Sequence, residues 1–146
     1  MINILTWEQV QKMFDNICKD IGITYIRLIT VAEWNRVYSF AKIQDNEMAR
    51  CCPADWVITT RYSSYDGLEL RNSLWHEILH ILFYSKPHWW IECAAQKLAG
   101  GSRGFYAKRY DKNIYDVPDR DKLLELARKS AKRYNHLWEI VKNGKK

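Results

Sequence analysis

His76-Glu77-Ile78-Leu79-His80 has the residue types and the spacing to hold a metal ion and to activate water beside it. On an α-helix, residues four apart project from one face, one turn apart, so both imidazoles can converge on a single ion. Neutral imidazole nitrogens suit a tetrahedral Zn²⁺ at about 2.0–2.1 Å, which makes one Zn²⁺ the expected cofactor. Glu77, next to the first of these ligands, is then positioned to take a proton from a zinc-bound water as general base. Leu74, Ile78, Leu79, Ile81, Leu82 and Phe83 surround the motif and predict a mostly buried helix. A polar cluster on such a helix needs partners, and a metal provides them. Only four His occur in the chain, so a chance match to this pattern is rare.

A third ligand has to come from another element. Ser85-Lys86-Pro87 breaks the motif helix, and His88 to Ala99 reads as a second helix ended by Gly100-Gly101. A short connection makes the two helices antiparallel neighbours. Reflected about Lys86, position 80 lies opposite 92, and 76 lies opposite 96. Glu92 is therefore the geometric choice for the third metal ligand, with Ala95 and Ala99 following on its face to allow close approach. His88, one turn earlier on the same face and nearer the loop, is the rival.

The run His76-Glu77-x-x-His80, followed by Pro87-x-Trp89-x-x-Glu92-x-x-Ala95, resembles the gluzincin branch of the zinc metallopeptidases over about residues 56–100. That resemblance implies a zincin-like minidomain with His76, His80 and Glu92 as metal ligands and Glu77 as general base. The implied activity is that of a zinc metalloendopeptidase acting on a peptide or protein substrate. The spacer from His80 to Glu92 is shorter than usual in that group, and Cys93 stands where a glycine is common. A more distant similarity is to SprT-like minimal metalloproteases, which use a later histidine; only His88 could serve.

The elements that must position these groups read as an α+β fold, one domain over residues 1–146. Thr6-Trp7-Glu8-Gln9 is a capping box opening an amphipathic helix over about 6–21, expected to cover one face of a sheet. Strands are expected over 23–31, 37–43 and 56–62, with Glu33-Trp34-Asn35 as a turn and Met48 to Asp55 irregular. The third strand leads into the motif helix, about 68–84. If that strand lies at the cleft, Thr59, Thr60 and Arg61 would line an edge to which an extended peptide could add. Pro118-Asp119 opens a last helix over about 119–142, with an apolar stripe through Leu123, Leu126/Ala127, Ala131, Tyr134, Leu137/Trp138 and Val141.

Apolar residues make up 47% of the 146 and include seven Trp and nine Tyr, which favours a folded domain over a disordered one. No apolar run approaches the roughly 18 residues of a membrane span, and no signal peptide is evident. The expected location is the cytoplasm, that of a host cell if the chain is phage-encoded, with no membrane partner. Cys18, Cys51, Cys52 and Cys93 show no metal or disulfide spacing, and the vicinal pair reads as partly buried free thiols. The net charge of +6 is concentrated in residues 97–146, the basic C-terminal part. This motivates a second class of function, a non-enzymatic nucleic-acid- or protein-binding module with a structural metal site. Arg103, Tyr106, Lys108, Arg109 and Tyr110, in the loop over 100–118, could contact nucleic acid by phosphate pairing and stacking. Alternatively Tyr106, Tyr110 or Tyr115 could donate to a developing oxyanion.

Overall fold

Thr6 and Gln9 close the expected capping box: the Thr6 hydroxyl accepts from the Gln9 amide, and the Gln9 side chain accepts from the Thr6 amide at 2.8 Å. They open helix α1, Trp7–Ile21, which buries Val10, Phe14, Ile17 and Ile21 and ends at Gly22 in a left-handed turn with φ 77°. In this computed structural model, residues 5–45, 47–61, 67–100 and 116–144 are described. They form five helices and a three-stranded mixed sheet, an α+β fold. Among the described residues, no helix is long and apolar enough to cross a membrane.

The N-terminal half departs from its sequence pattern at two places. Strand β1 is short, Arg27–Ile29, Val31–Val37 is a helix, α2, where a turn was expected, and the strand expected over 37–43 does not form, those residues leaving α2 as turns. Thr30 decides this, because its hydroxyl caps the helix by accepting from the Glu33 amide at 3.1 Å. Trp34 then turns inward, only 2% exposed, and donates from its indole to the Ala41 carbonyl. Further on, Ala49–Cys52 is strand β2 rather than irregular chain, and it turns through Pro53 to Trp56 into β3, Val57–Thr60.

The sheet order is β1-β3-β2, with β1 parallel and β2 antiparallel to β3. The strand leading toward the motif helix is therefore the central one, and Thr59 and Thr60 are buried rather than lining an edge. The edge beside the motif helix belongs to β2. Helix α1 rests chiefly on helices rather than on the sheet.

Helix α3, Gly67–Leu82, is the axis of the core, with Leu70, Leu74, Ile78 and Leu79 fully buried. Each such side chain contributes roughly 1.5–3 kcal/mol by leaving water. Helix α4, His88–Ala99, packs against α3 more extensively than any other pair of elements does. Its small residues Ala94, Ala95 and Ala99 are buried, which permits the close approach. Helix α5, Arg120–Gly144, covers the open side of this hairpin with Leu123, Ala127 and Ala131. The stripe runs out of core in its last turns, where Leu137, Trp138 and Val141 are exposed.

Candidate metal centre

Helix α3 presents His76 and His80 one turn apart, as their spacing requires, with the two Nε2 atoms 2.9 Å apart. Two neutral imidazole nitrogens at that distance share at most one hydrogen. A tetrahedral ion with bonds of about 2.0–2.1 Å would hold them about 3.3 Å apart, so a few tenths of an ångström of opening admits it.

Burial, and then the neighbouring His80 and His88, hold the His76 imidazole far below its ordinary range, at about 3. His80 is lowered to about 4, by burial and then by His88. Both rings are thus neutral near pH 7, the state in which imidazole binds a metal.

The third member of the cluster is His88, from the first turn of α4. Among the described residues, ligand atoms of His76, His80 and His88 all lie within 4.8 Å of one another, close enough to hold a metal ion. Glu92, one turn further along α4, pairs with His88 of this group. Its carboxylate is almost wholly buried, and Oε1 lies 2.7 Å from His88 Nε2. The two candidates for the third ligand therefore form one hydrogen-bonded unit, with the imidazole toward the other histidines.

Glu77 is 6% exposed, and its Oε2 is buried with no hydrogen-bond partner among the described residues. Burial, and then the nearby Glu47 charge, push its carboxyl up to about 8, against the opposing effect of Arg50. These groups open into a cleft of about 720 Å³ between α3 and strand β2. Glu47, Met48, Arg50 and Cys51 form the strand-side wall, and Tyr84 stands at the mouth, largely exposed. Arg50 is fixed by a two-pronged pair with Glu47 at 2.6 and 2.8 Å. The Cys51 thiol, raised by burial and then by the Glu77 charge, stays protonated. All four cysteines are free.

The sequence pattern misses this strand-side wall. A Glu-x-x-Arg pair entering a four-residue strand carries little periodic signal, and only its pairing with β3 makes it a wall. Tyr106, Tyr110 and Tyr115, with Arg103, Lys108 and Arg109, lie outside the described residues. Comparisons of the chain with protein families, with characterised proteins and with solved structures find no match.

Proposed function

We propose that the chain is a zinc-dependent metallopeptidase of zincin-like build. The observation that carries this reading is a buried carboxyl, Glu77, beside three converging imidazoles in one open cleft. His76 and His80 would hold Zn²⁺ by their neutral nitrogens. The third position falls to the His88–Glu92 unit, in which the resemblance to gluzincins favours Glu92 and the histidine cluster favours His88. Bound Zn²⁺ supplies Lewis acidity that brings the pKa of a water toward about 7.

Glu77 does the proton work. Its carboxylate would accept a proton from that water and pass it to the departing amine. The carboxyl must be ionised to begin, and a cation beside it opposes the burial that holds its pKa up. Strand β2 offers the substrate a place, since its outer edge carries no partner strand among the described residues and it forms one wall of the cleft. An extended peptide adding to that edge would lie along the cleft, held by main-chain hydrogen bonds that tolerate varied sequences.

The test is cleavage of an unfolded general protein substrate by wild type and by Glu77→Gln at matched zinc content. Loss of cleavage in the zinc-loaded variant supports the peptidase. One observation favours a second reading. Four donor groups, His76, His80, His88 and Glu92, crowd a position at which a catalytic zinc uses three. A site closed by all four would be structural, the chain a binding module, and both proteins would hold zinc without cleaving.

A further inference from the structure

A second cleft, of about 820 Å³, lies where α1, α3, the end of α4 and the start of α5 meet. It shares no lining residue with the metal cleft. On α3, Arg71 and Trp75 face it while His76 and His80 face the other; at about 100° per residue the two pairs point about 140° apart. Lys12, Arg71, Arg120 and Arg128, all exposed, line this cleft against a single carboxylate, Asp20.

These four cations come from three helices far apart in sequence, so the fold gathers them; they are not one solvated face of one helix. Several other basic groups of the chain are already engaged. Arg36, Arg50, Lys122 and Lys129 each pair with a glutamate, and Lys97 donates to the Val117 and Pro118 carbonyls. Among the described residues, Lys12, Arg71 and Arg120 make no ion pair and no side-chain hydrogen bond. Arg128 donates only its Nε, to the Asp20 carbonyl at 3.0 Å, which leaves the end of its guanidinium facing outward. Like charges brought together in a concavity repel one another and focus a positive field there. A row of phosphates relieves that repulsion, and arginine forks suit phosphate oxygens. Trp75 and Leu124 give the cleft an apolar floor, as suits a ligand that is not charge alone.

We infer that this cleft binds the phosphodiester backbone of a nucleic acid, on the face of the molecule away from the metal centre. Half of its charge, Lys12 and Arg71, comes from the part of the chain that is acidic in sum, so the interface is not the basic C-terminal part alone.

The experiment is fluorescence anisotropy of labelled oligonucleotides, single-stranded in one arm and duplex in the other, with the whole chain between 50 and 200 mM salt. Four phosphate contacts give a slope of log affinity against log salt of about −2.8 for single strands and about −3.6 for duplex. For single strands that is a fall of roughly fifty-fold over the range. Arg71→Gln with Arg120→Gln is expected to halve the slope, leaving a fall of roughly seven-fold, while Lys132→Gln with Lys142→Gln, outside the cleft, retains most of it. The arm with the tighter binding identifies the form of nucleic acid. Glu77→Gln is expected to bind like wild type, which separates this result from the fate of the peptidase reading. Absence of salt-dependent binding in both arms, or equal loss in the two double variants, overturns the inference.

Discussion

Replacing Glu77 by Gln should make the metal-free protein more stable while removing its activity. The carboxyl ionises at 4.5 in a free chain and at about 8 in the fold. Between these values the folded state holds a proton that the unfolded state has released, so stability falls as pH rises through the window. The loss is absent well below pH 4.5 and complete above pH 8. By linkage it is about 1 kcal/mol at pH 5 and on the order of 3 kcal/mol at pH 7. Gln has nearly the same shape as the neutral acid and never ionises, so the variant escapes this loss. His76 and His80 titrate alike in both proteins and cancel from the difference. Urea unfolding of chelator-treated wild type and variant at pH 5, 6 and 7 should therefore show a stability gain that grows with pH. In the zinc-loaded proteins, cleavage should fall by about a hundred- to ten-thousand-fold, the usual contribution of a general base. A gain independent of pH, or a variant less stable at every pH, would refute the claim that the carboxyl is held in a dry site.

Lowering the pH should destabilise the metal-free Glu77→Gln protein below about pH 6.5. The unfolded histidines gain protons there, whereas His76 and His80 stay neutral in the fold down to about 3 and 4; the urea midpoint from pH 7 to 4.5 checks the sign. His88→Ala should weaken zinc affinity more than Glu92→Ala does, because the His88 imidazole is the group clustered with His76 and His80 while Glu92 fixes its ring; competition with a chromogenic chelator ranks the two, with a loss of about ten- to a hundred-fold for Glu92→Ala as a residue that only orients a ligand. Arg50→Gln should push the Glu77 carboxyl still higher, since it removes a cation that lowers it and frees Glu47 to raise it; the acid limb of the pH–activity curve should move to higher pH. Trp34→Ala should cost about 3–5 kcal/mol in urea unfolding, as expected for a large, fully buried side chain.

The helices could be read because their signals are local. Thr6 with Gln9 and the Gly22 and Gly100 caps are written within a turn of the ends they mark. The pairing of His76 with His80 is legible for the same reason. Thr30 carried an equally local signal for α2, but the β-branched run before it and the turn-like Glu33-Trp34-Asn35 masked it. Strand β2 was not legible, since Ala49–Cys52 becomes a strand only by pairing with β3, and with it went the strand-side wall of the cleft. The third-ligand question had a different origin. His88 and Glu92 are one helical turn apart, so spacing alone places both on one face, and only side-chain geometry groups the His88 nitrogen with those of His76 and His80 and pairs it with Glu92.

The α3–α4 hairpin carries a consequence for the order of assembly. His76, His80, His88 and Glu92 all fall within one short helix–turn–helix of contiguous chain, and closing so short a loop takes little entropy. Strand β1, by contrast, finds β3 in parallel register across the whole of α2 and β2, the kind of distant pairing that slows folding. The ligands can therefore meet before the sheet that walls their cleft is complete. A nascent chain could capture its ion first and acquire its substrate groove second.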